Sequence, residues 1–343
     1  MGTHLECATL TTSHASKTRK YEEIETCGSN RRQFVQGGVL SALALLLSPL
    51  AGDKTQKFKI GMAATTWLSA APSIESYWNA TKAISKLNIG ATEGDNSNAK
   101  FDISYPNGAA EFVARSKRVG VHLCGVYQAF PLHDSPKGPE MRAKMHSVAR
   151  FLKAAGAEYI ALGWDVPEIG GKVYQRTADD VSRAVDSMDE LGRLSWEEHG
   201  IVAAFHAERD IPKEMIIGIL DQTNSKYIRL CADVGHFTAA GLDAVQTVKT
   251  YASKLVASHW KDYDPKLAAP TYLSGGATGD FVEVGKGVVD FRGLADLYRQ
   301  IDFSGWVQLE LDRTREPSIS VSAAEMRSFV TDDLKLEMYP ARH

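Results

Sequence analysis

Cysteine is scarce in this chain, with four among 343 residues. Only Cys124 and Cys231 lie after residue 52, and two cysteines make no disulfide framework; each, among apolar neighbours, reads as a small buried hydrophobe. A basic excess is also missing. Lys and Arg number 39 against 42 Asp and Glu, a formal net charge of -3, so no positive field draws in nucleic acid or an anionic membrane. The apolar run from Val39 to Leu50 is too short to cross a bilayer comfortably. No Gly-x-Gly-x-x-Gly follows the first strand, which argues against an open dinucleotide-binding sheet. No repeat, linker or low-complexity segment divides the chain after residue 52. The composition is that of an ordinary globular protein, 44% hydrophobic and 24% charged, with apolar residues enough for a sizeable core. Small neutral or polar molecules are the expected partners.

Residues 1–52 differ from the rest. A polar, irregular stretch leads into SNRRQFVQGGVLSALALLLSPLAG, where Arg31 and Arg32, with Ser29 before and Phe34 after, precede a short apolar segment. That layout resembles a bacterial twin-arginine export signal. It implies cleavage near Ala51, periplasmic delivery and no stable membrane span once the signal is removed. The remainder, residues 53–343, reads as a single domain.

From Lys57 onward short apolar runs alternate with longer helical patterns. Strands are expected at 58–66, 87–94, 121–128, 159–164, 201–208, 227–235, 255–262 and 306–312. Helical spacing of apolar residues marks 108–120, 141–156 and 179–200, each with a glycine near its end. Eight strands alternating with helices predict an α/β fold, a (β/α)8 TIM barrel. A barrel places functional groups at the C-terminal ends of its strands. The polar residues fall there: Glu93, Trp164, His206 and Glu208, Asp233 and His236, His259, Lys261 and Asp262, Glu310 and Asp312. Because side chains alternate along a strand, His206 and Glu208 share a face with Ala204, His259 with Ala257, and Glu310 with Gln308.

Several carboxylates converging from neighbouring strands each need compensation for lost solvation, and a divalent cation supplies it. A mixed oxygen and nitrogen donor set without thiolate suits Mn, Mg, Co or Zn at a site with open positions. Next to such an ion a carboxylate can abstract the proton beside a carbonyl, through an enediolate. Glu208 and Glu310 are the candidate acid and base, on two sides of the substrate. His206, His236, Lys261 and Trp164 are candidates for substrate contact, with Trp164 and Trp260 as an apolar wall. Gly285–Lys286–Gly287 is either a phosphate-binding backbone or a turn.

Five segments in order, IVAAFHAERD, IRLCADVGHFTAAGLD, LVASHWKDYD, VEVGKGVVDF and GWVQLELDR, resemble the sugar phosphate isomerase/epimerase superfamily, the xylose-isomerase-like barrels that include inosose dehydratases and ketose 3-epimerases. The resemblance covers residues 57–330. It implies one divalent metal ion held by Glu208, Asp233, His259 and Glu310. FHAE resembles the dehydratase-like branch, with Glu208 as ligand and His206 facing substrate, or the two in exchanged roles. The implied function is a metal-dependent sugar isomerase or epimerase. A lyase or dehydratase on keto-sugars or 3-keto-glycosides is the alternative, and a periplasmic sugar-binding protein without chemistry is a third. The substrate is a small sugar or keto-sugar; a homo-oligomer is left open.

Changing Arg31 and Arg32 together to lysine is expected to hold the protein in the cytoplasm of a host with a twin-arginine pathway. Fractionation and immunoblotting check this, and unchanged periplasmic delivery would remove the export reading.

Overall fold

The computed structural model describes residues 55–99, 108–165, 168–169, 172–174, 176–268 and 278–342. The stretch expected to be an export signal, residues 1–52, lies outside these described residues. Eight parallel strands carry the fold: β1 (Lys59–Met62), β2 (Ala91–Asp95), β3 (His122–Phe130), β4 (Tyr159–Trp164), β5 (Val202–His206), β6 (Ile228–Asp233), β7 (Leu255–Trp260) and β8 (Trp306–Leu309). They neighbour one another in the order β1-β8-β7-β6-β5-β4-β3-β2. The remaining gap, between β1 and β2, is bridged where the Ala64 N–H donates to the Glu93 carbonyl at 2.9 Å. This is the expected TIM barrel, nearly closed. Two antiparallel hairpins, Glu168–Ile169 with Lys172–Val173 and Asp262–Ala268 with Thr278–Val282, follow β4 and β7.

The strands sit close to their expected positions, with two differences of cause. The segment expected to continue the first strand through Thr66 turns instead into a helix, Thr65–Ala70. The second strand starts later than expected, because Leu87 still caps helix Ile74–Lys86 and Asn88 adopts a left-handed turn at φ 55°. Helix starts follow local chemistry: Ser73 accepts from the Ser76 N–H, and Thr177 and Asp180 form a reciprocal capping box for Ala178–Leu194.

Alternation along the strands separates two apolar layers. The barrel interior holds Ala91, Cys124, Tyr159, Ala161, Ala204, Cys231, Ala257 and Trp306. Larger aliphatic and aromatic residues fill the space between barrel and helices. Among the described residues Cys124 and Cys231 are buried free thiols, as small hydrophobes should be. Register shifts in β3 and β7 skip Cys124 and Val256; such bulges re-aim the residues that follow.

At the opposite end from the strand C-termini, the chain's last segment fills the β1–β2 gap. The Tyr339 N–H donates to the Ile60 carbonyl at 2.8 Å, and the Gly90 N–H donates to the Tyr339 carbonyl at 2.6 Å. Gln56 clasps the backbone of Glu337 through both amide atoms, and the Tyr339 ring meets Trp306 edge-on at 5.2 Å. A side chain at residue 90 would run into the Pro340 backbone, so glycine is required for the tail to seat.

Gly90→Ala is expected to destabilise the full chain by about 1–3 kcal/mol. In a chain ending at residue 336 the same change should cost close to nothing, because the clash and the tail vanish together. Denaturant titration of the four proteins closes the cycle; equal costs in both backgrounds would show that the tail does not occupy the gap.

Candidate metal centre at the barrel mouth

Four side chains at successive strand ends converge: His206, Asp233, His259 and Glu310, all buried, each offering one donor atom within 4.8 Å of the others. Each is aimed by its own element. Asp233 ends β6 and caps helix Val234–Ala239, its Oδ1 accepting the His236 N–H at 2.9 Å. That bond leaves Oδ2 facing the mouth, buried and without a hydrogen-bond partner. Glu310 Oε2 is in the same condition, 2.5 Å from His259 Nδ1.

The imidazoles are oriented from behind. His206 Nδ1 lies 3.0 Å from Glu208 Oε1, and His259 Nε2 lies 3.0 Å from Glu93 Oε2. A carboxylate accepts and does not donate, so each ring directs an N–H at its outer carboxylate. The inner nitrogens, His206 Nε2 and His259 Nδ1, lie 3.0 Å apart, with Asp233 Oδ2 3.4 Å from the first and Glu310 Oε2 2.5 Å from the second. Without a metal, protons on these inner nitrogens offset the buried carboxylates; a divalent cation would displace them. This is the donor set of a divalent cation, with outer carboxylates holding the histidine tautomers as they do around metal ions generally.

Proton affinities record the same excess of negative charge. For His206 burial lowers the pKa, but the Glu208 and Asp233 carboxylates together outweigh that and lift it to about 10. Burial lowers His259 as well, and Cys231, Glu93 and Glu310 together push it well up. Burial would raise Asp233, yet His236 and Lys261 hold it well below the usual range. Lys261 is the principal fixed cation here: 1% exposed, with Nζ 3.0 Å from Asp312, 3.2 Å from Glu310 and 3.4 Å from Asp233. His236 Nε2 lies 3.1 Å from that nitrogen.

Glu208 stands behind the donor set, not within it. The sequence reading puts Glu208 among the ligands and leaves an exchange with His206 open; the fold puts His206 in the cluster and Glu208 on its outer nitrogen. Parity alone does not separate residues 206 and 208. The strand ends at His206, and Glu208 lies beyond it in the loop. Its carboxylate accepts from Tyr127 Oη at 2.8 Å, and its side chain is 22% exposed. Burial pushes its pKa up, but the His206 imidazole more than reverses this, so the group is ionised at neutral pH.

The tryptophans are elsewhere. Trp164 has the opposite parity to Tyr159 and Ala161, so it faces the outer layer, donates Nε1–H to His133 Nδ1 at 3.1 Å, and lies under Arg176. Trp260, next to inward-facing His259, packs on Phe291 and Tyr298 of helix Phe291–Gln300. Neither forms the expected sugar wall at the mouth. Asp262 also faces away. Its two oxygens accept four backbone N–H groups, from Tyr263, Gly285, Gly287 and Val289, at 2.7–3.0 Å. The glycine loop thus binds an internal carboxylate with the N–H groups that a phosphate would need. Sequence reasoning missed Tyr127 and Tyr159, which hold Glu208 and Glu93 (Tyr159 Oη to Glu93 Oε2, 2.5 Å). The signal was a glycine within a strand, which marks close approach: Gly125 pairs with Tyr159 across β3 and β4, and a Cβ on it would stand 2.5 Å from the tyrosine ring.

A model of the xylose isomerase-like TIM barrel family matches residues 82–330, and the chain belongs to that family. An inosose dehydratase of Clostridium botulinum is 23% identical over 188 residues, half of this chain and 62% of that protein. The chain therefore aligns with less than two thirds of that relative. Among solved structures, a D-allulose 3-epimerase from Methylomonas superposes with a TM-score of 0.61 at 13% identity, covering 81% of this chain and 98% of the other. The IolI protein with a bound zinc atom gives 0.61 at 16%, covering 81% and 98%. At these identities the likeness is one of fold. Among the described residues no helix is long and apolar enough to cross a membrane.

Lys261→Met removes the cation that Asp233 and Glu310 share. The metal-free variant is expected to lose about 3–5 kcal/mol, the usual cost of stranding a buried charge. Added Mn2+ or Zn2+ should recover more stability in the variant than in the parent. Thermal unfolding with and without metal measures both; a metal-free variant as stable as the parent would contradict the charge assignment.

Proposed function

We propose that this chain is a divalent-metal-dependent enzyme that removes a proton next to the carbonyl of a sugar-like polyhydroxy ketone. The observation that carries the reading is the convergence at the mouth of two imidazole nitrogens and two carboxylate oxygens, with one ionised carboxylate, Glu208, just behind them. His206, Asp233, His259 and Glu310 would hold the ion, and this two-nitrogen, two-oxygen set favours Mn2+, Co2+ or Zn2+ over Mg2+. The zinc in the IolI structure is consistent with that preference. A cation held there supplies Lewis acidity that lowers the pKa of the carbon acid. Glu208, ionised and partly exposed, accepts the proton. Tyr127 holds its carboxylate, and the His206 proton keeps it from drifting away.

Lys261 and His236 lie on the β6–β8 side of the donor set, whereas Glu208 and Tyr127 lie on the β3–β5 side. A base on one side and a nitrogen acid on the other suit elimination, where one group takes a proton and a different one protonates the departing hydroxyl. Epimerisation calls for two comparable acid–base groups, one per face, and Glu310 is then the second. We infer a lyase or dehydratase as the leading reading, in line with the inosose dehydratase relatives; isomerase or epimerase, supported by the barrel likeness, is the second. Periplasmic delivery goes with free or glycosidic keto-sugars as substrates.

Glu208→Gln is expected to keep its metal and lose on the order of 10²- to 10⁴-fold in turnover, whereas Glu310→Gln should lose metal. The assay incubates metal-loaded protein in D2O with keto-sugars and inososes, following deuterium uptake and dehydrated product by NMR and mass spectrometry. Product without uptake into recovered substrate supports elimination, uptake with inverted substrate supports epimerisation, and a Gln variant exchanging at the parental rate removes Glu208 as base.

A further inference from the structure

A second group of donors lies away from the mouth. His146 sits midway along helix Gly138–Ala155, and Glu198 and His199 lie in the π turn Ser195–His199 that extends helix Ala178–Leu194. His146 Nδ1 is 3.1 Å from His199 Nε2 and 3.4 Å from Glu198 Oε2, and the two rings stand edge to face at 87°. One donor atom from each of the three lies within 4.8 Å of the others. From this geometry we infer a second metal site, formed by His146, Glu198 and His199 on the outer surface, which takes a zinc-class divalent ion and keeps a fourth position for water.

Bonds of about 2.0–2.1 Å in a tetrahedron place donor atoms about 3.3–3.4 Å apart; the 3.4 Å between His146 and Glu198 matches that, and the 3.1 Å between His146 and His199 is slightly shorter. Hydrogen bonding among neutral groups accounts for the triad less well. His146 Nδ1 faces an imidazole nitrogen and a carboxylate oxygen at once, so a single N–H there serves both only as a shared, three-centre bond. If His146 instead accepts from His199, its lone pair confronts the carboxylate. A cation removes that conflict. The ion's class follows from the donors: two imidazoles and one carboxylate match three-ligand zinc sites, while Mg2+ and Ca2+ need more oxygen.

The site ties a π turn, an irregular piece of helix often found at functional positions, to the neighbouring helix. Trp196 in the same turn is 46% exposed and can report occupancy. This inference stands apart from the barrel-mouth reading and shares no residue with it.

The test loads the full chain with Zn2+, desalts it and counts metal by elemental analysis, with Ni2+ quenching of Trp196 fluorescence as a second readout. The expected result is two equivalents in the parent, one in His146→Ala and in His199→Ala, and one in His259→Ala, with quenching lost only in the first two. If His146→Ala and His199→Ala hold as much zinc as the parent and quench alike, the surface site is overturned. If instead His259→Ala holds as much as the parent, the barrel-mouth reading fails while the surface site stands.

Discussion

The orientation of two imidazoles by two carboxylates sets the character of the barrel mouth. Glu208 behind His206 and Glu93 behind His259 each take an N–H from the ring, which turns the second ring nitrogen inward. Inside that pair, Asp233 and Glu310 bring their oxygens against the inward ring nitrogens and share the Lys261 ammonium. The arrangement is costly without a cation and well matched with one. Tyr127 and Tyr159 secure it from one layer further out, each on an acidic residue of another strand.

Charge compensation explains the use of neighbouring residues in the His259–Trp260–Lys261–Asp262 segment. Alternation sends His259 to the donor set and Trp260 to the helix layer. Lys261 reaches inward again to Asp233, Glu310 and Asp312. Asp262 is spent on the backbone of the Gly285–Gly287 turn. Four successive residues thus serve four environments. The loops above are held by Asp280, which accepts Arg209, Arg313 and Arg315 from the ends of two other strands.

The two ends of the barrel divide the work in the usual way, with chemistry at the strand C-termini and stability below. The ladder is interrupted between β1 and β2, and the chain's own last segment supplies the missing hydrogen bonds there. Closure by a segment some 250–280 residues away in sequence joins both ends of the domain, so that the first strand is held by the last residues as well as by β8.

Much was legible before any coordinates. The alternation of short apolar runs with helical spacing specified the barrel, because a two-residue and a 3.6-residue period are local properties of the chain. Strand-end placement then gave a longer set of polar residues at one face, since a parallel barrel gathers strand C-termini there, and the family resemblance picked Asp233, His259 and Glu310 out of it. The choice between His206 and Glu208 was not legible, for both share a parity and only the point where β5 ends separates them. Trp164 was misplaced for a related reason: strand-end position says which end of the barrel a residue occupies, but not whether it faces the inner or the outer layer. Tyr127, Tyr159 and the Tyr339 closure depend on contacts between strands far apart in sequence, set by bulges and by glycines that admit a ring or a backbone. Local periodicity determines which elements form and in what order; the tautomers, the partners of each carboxylate and the filling of the seam are decided only when distant segments meet.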